Sequence, residues 1–95
     1  MDMTSKTVII TGASRGIGAE AARVFASVGA NVALLARSQD DIAALAGEIG
    51  ERAIAIPCNV ARYGEMSSAV ATTVQAFGGL DVLINNAGVV DPISH

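Results

Sequence analysis

Apolar and polar positions along the chain alternate between two periods. Thr7–Thr11 (TVIIT) is a short β-branched run, the pattern of a strand buried on both faces. After a glycine-rich loop, Ile17, Ala21, Val24, Phe25 and Val28 recur at helical spacing. They are expected to face the core, with Glu20 and Arg23 on the opposite side. Gly29 stands where a left-handed residue closes a helix, and Asn31–Ala36 (NVALLA) predicts the second strand. Ser38 begins the next helix, and Asp41 three positions on completes a capping-box-like pair. Asp40 and Asp41 both fall at the positive end of that helix dipole. Ile42, Leu45 and Ile49 form its buried stripe, and Gly50 ends it. Residues 53–56 (AIAI) predict a third strand, stopped by Pro57. Met66, Val70, Val74 and Phe77 mark a third helix closed by Gly78-Gly79, and residues 80–85 a fourth strand.

The order is therefore βαβαβαβ with short connections. This alternation implies an α/β fold: a parallel, doubly wound sheet with right-handed crossovers and helices on both faces. The expected strand order is 3-2-1-4. No internal linker, repeat or low-complexity segment interrupts it.

Composition narrows the picture. Ninety-five residues make one small domain, with no room for a second one devoted to substrate. Apolar residues reach 52% and charged ones only 16%, which excludes intrinsic disorder. Eighteen alanines against three aromatic residues point to close backbone packing instead of a core of large rings. The net charge of −3 argues against nucleic acid, because no basic patch is available to neutralise phosphates. The lone Cys58 cannot form an internal disulfide, which fits a reducing compartment. Asp2 stands where a signal peptide would carry a basic residue, and no apolar run approaches the length of a membrane span. The expectation is a soluble, cytoplasmic protein without membrane contact.

The sharpest chemical signal is Thr11-Gly12-Ala13-Ser14-Arg15-Gly16-Ile17-Gly18, entered by a strand and left by an amphipathic helix. Gly12 permits the tight turn, Gly16 lets backbone N–H groups approach a pyrophosphate, and Gly18 allows close packing. Phosphate oxygens would then sit at the positive end of the helix. The spacing GxxxGxG after Thr11 resembles the phosphate loop of the short-chain dehydrogenase/reductase family, TGxxxGxG. Asn85-Asn86-Ala87-Gly88 matches that family's NNAG motif, and Asn59-Val60 falls where the family contacts adenine. Many members carry Asp at that adenine position, but an Asn side-chain oxygen can also accept from the adenine amino group. The resemblance covers essentially the whole chain and is nearest to 3-oxoacyl-acyl-carrier-protein reductases and similar ketoreductases. It implies a Rossmann-type fold and a dinucleotide held by Gly12, Ala13, Ser14, Arg15, Gly16, Ile17, Gly18, Arg37, Asn59, Val60, Asn86, Ala87 and Gly88.

Charge selects the cofactor. A domain for NAD usually places Asp or Glu about 20 residues past the glycines, on the ribose hydroxyls. Here the second strand ends Ala36-Arg37-Ser38, with no carboxylate to repel a 2′-phosphate and Arg37 able to bind one. Arg15 can reach the same phosphate from the glycine loop. The pair resembles the family's NADP-preferring pattern, so NADP(H) is the expected cofactor.

The family's chemistry also uses a Tyr-x-x-x-Lys pair with an upstream Ser. The one tyrosine, Tyr63, has Ser67 where that pair needs Lys, and the only lysine is Lys6. No catalytic residue is therefore assigned within these 95 residues. The expectation is an N-terminal cofactor-binding part (residues 1–95) of a longer, homo-oligomeric reductase acting on a small carbonyl or alcohol substrate. A non-catalytic nucleotide-binding or redox-sensing module, or an inert structural fragment, is the alternative. Cys58 reads as a small apolar filler, His95 has no metal partner, and Arg62 and Tyr63 are expected to face water. Asp81 opens the fourth strand as a loop anchor, although in the family this position can lie near the adenine.

Overall fold

The computed structural model describes residues 2–86. Along it run β1 (Thr7–Thr11), α1 (Gly16–Ser27), β2 (Asn31–Ala36), α2 (Gln39–Ile49), β3 (Ala53–Pro57), α3 (Tyr63–Phe77) and β4 (Val82–Ile84). The four strands form one sheet in the order β3-β2-β1-β4, every pair parallel. Both the alternation and the strand order are those expected. The register sets Thr11 against Leu35 and Ala36 against Pro57, so the carboxyl ends of β1, β2 and β3 finish level.

β1 and β2 are buried along nearly their whole length because apolar layers cover both of their faces. On one face Val8, Ile10, Val32 and Leu34 meet Ala19 and Ala22 of α1 with Ile42 and Leu45 of α2. On the other, Ile9, Ala33 and Leu35 meet Cys58 and Ala69. Helix α2 buries Ile42 and Leu45 and half-buries Ile49. Gly50, at φ 99°, closes it, as the periodicity implied.

Several details depart from the expectation. In α1 the buried residues are Gly18, Ala19 and Ala22, while Ile17 is 75% exposed and Val24 is 47% exposed. The helix presents its smallest side chains to the sheet, which brings its backbone close. A reading weighted by hydrophobicity favours larger residues on the neighbouring face. The same holds in α3, where Ala69 and Thr73 are buried and Val74 is 41% exposed. Thr73 is tolerated there because its hydroxyl donates to the Ala69 carbonyl at 2.8 Å.

β4 is shorter than residues 80–85. Asp81 is held outside the strand by two bonds to Thr7: its backbone N–H donates to the Thr7 carbonyl, and its Oδ2 accepts from the Thr7 N–H, each at 2.9 Å. That fixes Asp81 as an anchor at the amino end of the sheet. β3 runs one residue further than expected, through Pro57, whose missing N–H is harmless on an edge strand. Finally, Ser38 is the N-cap of α2 but makes no side-chain bond to the backbone. Its hydroxyl donates to Asp41 Oδ2 at 3.0 Å instead, a carboxylate being the stronger acceptor.

Candidate functional site

Ligands of open parallel sheets bind beyond the carboxyl ends of the strands, where the strand order reverses. Here that point lies between β1 and β4, next to the glycine loop. Two neighbours fix the loop. Ala13 is buried, its N–H donating to the Leu35 carbonyl at the end of β2 (3.2 Å). Asn86, after β4, donates its N–H to Thr11 Oγ1 at 2.8 Å and its Nδ2 to the Gly12 carbonyl at 3.4 Å. The loop is thus tied to both flanking strands before any ligand enters.

The three glycines have separate reasons. Gly12 and Gly16 adopt φ 63° and 62°, a region that side chains rarely enter. A Cβ on Gly16 would meet open space, so its requirement is conformational and the ground before it is free for a ligand. Gly18 is a matter of room: a Cβ there would overlap the Gly12 carbonyl oxygen and lie 2.9 Å from Asn86 Nδ2. Its close approach is therefore to the loop and the segment after β4. Helix α1 begins at Gly16 with Arg15 as N-cap, no side-chain cap and no acidic residue in its first turn. Unsatisfied N–H groups and the positive dipole end suit an anion there.

Beside this loop is an open hollow of about 390 Å³ lined by Gly12, Ser14, Arg15, Ala36, Arg37, Ser38, Cys58, Asn59 and Val60. Six of the expected site residues meet in it: Gly12, Ser14, Arg15, Arg37, Asn59 and Val60. No carboxylate is among the lining residues. Arg23 and Arg62 pair with Glu48 and Glu65, and Arg52 donates to the Gly29 carbonyl. Among the described residues the guanidinium groups of Arg15 and Arg37 have no such partner. These two guanidinium groups therefore border the same hollow.

Ile17 lies outside the hollow and is exposed at the start of α1, while Gly18 is buried behind the loop. Ala87, Gly88 and His95 lie outside the described residues. Asn59, expected at the adenine, carries constraints of its own. Its Oδ1 already accepts from the Ala61 N–H at 3.0 Å, which leaves one lone pair open. The Asn59 N–H is taken by Glu65 Oε1 at 2.8 Å. Glu65, a residue with no motif to announce it, thereby holds the Asn59 turn onto α3.

Ala36, Ser38 and Cys58 also line the hollow, though they belong to none of the motifs. Their positions at the ends of β2 and β3 were the available signal. Cys58 is 4% exposed, with its Sγ 3.8 Å from Met66 Sδ. Burial pushes its thiol above the ordinary range, and the nearby Glu65 charge adds to that. This is the environment of an inert filler, not of a nucleophile. Tyr63, 87% exposed at the start of α3, lies on a different surface with Met66, Ser67 and Val70. No described helix is long and apolar enough to cross a membrane, and no cluster of three or more described His, Cys, Asp or Glu could hold a metal.

Comparison with known proteins gives concordant results. The profile described as short chain dehydrogenase matches residues 6–95. Oxidoreductase UcpA of Salmonella typhimurium is 47% identical over 90 residues, covering 92% of this chain and 34% of that protein. Ketoacyl reductase HetN of Nostoc is 42% identical over 90 residues, covering 92% of this chain and 31% of that protein. Among solved structures, the 3-ketoacyl-(acyl-carrier-protein) reductase of Brucella melitensis complexed with NADH superposes with a TM-score of 0.84 at 33% identity. That match covers 86% of this chain and 34% of the other. The hydroxysteroid dehydrogenase of Escherichia coli gives 0.87 at 34% identity, covering 92% and 38%. The chain spans about a third of the length of these relatives.

Proposed function

The chain belongs to the short-chain dehydrogenase family, and from that membership we propose that residues 1–95 are the NADP(H)-binding part of an oxidoreductase. Its reaction is the reduction of a ketone or 3-oxoacyl carbonyl, or oxidation of the corresponding alcohol. The observation that carries the cofactor assignment is the hollow with Arg15 and Arg37 on its wall and no carboxylate lining it. An NAD-type site would set an acidic side chain on the ribose at the end of β2, where Arg37 stands.

In this reading each residue has a defined task. The first turn of α1, beginning at Gly16, takes the pyrophosphate; Asn59 and Val60 receive the adenine; Arg15 and Arg37 take the 2′-phosphate. Asn86, with Ala87 and Gly88 following it, borders the path toward the nicotinamide. The bound dinucleotide supplies the hydride, and the residues of this chain bind and orient it. The proton for the carbonyl oxygen comes from outside residues 1–95. Tyr63, the one tyrosine here, does not line the hollow and lacks a lysine four positions on. The substrate is a small carbonyl or alcohol, and the assembly is a homo-oligomer in the cytoplasm.

Oxidation of NADPH, followed optically against ketones and 3-oxoacyl thioesters, tests the assignment. Residues 1–95 alone should leave the dinucleotide unreacted. A longer protein carrying them with a Ser and a Tyr-x-x-x-Lys pair should consume it. Turnover by residues 1–95 alone would overturn the division of labour. Cofactor binding without turnover by the longer protein would favour a sensing module.

A further inference from the structure

Ser38 lines the hollow next to Arg37, but its one proton is already committed. The hydroxyl donates to Asp41 Oδ2 at 3.0 Å, across the first turn of α2. A serine hydroxyl has one proton and two lone pairs. While that proton points at Asp41, Ser38 offers the hollow only an acceptor. An acceptor suits a ribose hydroxyl, which brings its own proton. It does not suit a phosphate, whose oxygens need donors. Asp41 does not line the hollow, yet it brings a negative charge to the residue that does.

We infer that Asp41 is a positioning residue that limits how strongly this pocket prefers the phosphorylated dinucleotide, acting through the Ser38 hydroxyl. The inference rests on the reading that Arg15 and Arg37 take the 2′-phosphate. When NADPH binds, Ser38 must turn its proton from the carboxylate to the phosphate, and two anions face each other across it. When NADH binds, Ser38 Oγ accepts from the ribose 2′-hydroxyl with the Asp41 bond intact. Arg15 and Arg37 pull toward one cofactor, and the Ser38–Asp41 pair supports the other. Ser38 and Asp41 are both exposed, so this rearrangement disturbs no core packing.

The test is calorimetric titration of NADPH and NADH into the protein and its Asp41→Ala, Asp41→Asn and Ser38→Ala/Asp41→Ala variants. Removing a charge near the phosphate and freeing the Ser38 proton should tighten NADPH binding roughly fivefold in Asp41→Ala, with NADH binding not improved. Asp41→Asn keeps an acceptor for Ser38 and should give a smaller gain. Adding Ser38→Ala to Asp41→Ala should cut the gain back to about that of Asp41→Asn. A mere loss of helix capping would weaken both cofactors alike and leave their ratio unmoved. An unchanged ratio in Asp41→Ala overturns the inference. Arg37→Ala, titrated alongside, separates the two levels. If it weakens NADPH selectively while Asp41→Ala leaves the ratio unmoved, the arginine reading stands and this inference falls. If Arg37→Ala weakens both cofactors equally, the underlying reading falls.

Discussion

The Thr11 hydroxyl accepts a 2.8 Å hydrogen bond from the backbone N–H of Asn86, joining the carboxyl ends of β1 and β4. Its own proton lies within reach of Asn85 Oδ1 at 3.1 Å and the Ile84 carbonyl at 3.4 Å. A β-branched apolar residue would fill the strand position equally well, so this threonine serves the crossing between the two strand ends. The same crossing carries Asn86 Nδ2 onto the Gly12 carbonyl.

Thr11→Val keeps the shape and removes the acceptor. Leaving the part-buried Asn86 N–H without its partner should cost about 1–3 kcal/mol of stability. Urea unfolding, with Thr11→Ser as the control that keeps the hydroxyl, reads this directly. A Thr11→Val protein as stable as the Ser variant would show that the bond contributes nothing.

Gly16→Ala and Gly18→Ala should differ in kind. At Gly16 the added methyl meets open space but must enter φ 62°, costing about 1–2 kcal/mol. At Gly18 it strikes the Gly12 carbonyl and must push the loop aside, an overpacking cost of about 1–3 kcal/mol. In the proposed reading both should also weaken dinucleotide binding, Gly16→Ala by setting a methyl on the open ground proposed for the pyrophosphate and Gly18→Ala by shifting the loop. Dinucleotide titration checks this, and an unchanged affinity in either variant would contradict it.

Cys58 should react slowly with a maleimide in the folded protein and readily after unfolding, since it is buried and its thiol is held protonated. The sign follows from the raised thiol. Its contribution to stability is fully present below the pH at which the unfolded thiol ionises. It is lost as pH rises from there through the folded value. Cys58→Ala should remove that alkaline loss, measured as the difference in urea midpoints between neutral and alkaline pH.

Much of the fold was legible because each strand and helix announces itself by period and punctuation. TVIIT and NVALLA could be only buried strands once glycine and a helical repeat followed them, and β-α-β alternation then forces the parallel order. What stayed hidden depends on partners distant in sequence. Asp81 shortens β4 through Thr7, 74 positions away, and nothing local to residues 80–85 signals it. Ile17 and Val24 were expected inside because they are large. The sheet instead takes Ala19 and Ala22, whose small size permits close approach. At the candidate site the glycine motif and Arg37 were readable from type and spacing. The spacing of Ser38 and Asp41 suggests a cap, but the sequence does not say where a hydroxyl sends its proton. Glu65 gives no signal in the sequence, since its bond to the Asn59 N–H belongs to no motif.

The most direct test of the account is calorimetric titration of NADPH and NADH into the protein and its Arg37→Asp variant. Charge-assisted bonds from Arg15 and Arg37 to a 2′-phosphate are worth about 1.5–3 kcal/mol each. NADPH should therefore bind at least about tenfold more tightly than NADH, the margin narrowing as salt is raised. Arg37→Asp should reverse the order by repelling the phosphate and accepting from the ribose hydroxyls. Equal affinities of the unmodified protein for the two cofactors would contradict the assignment.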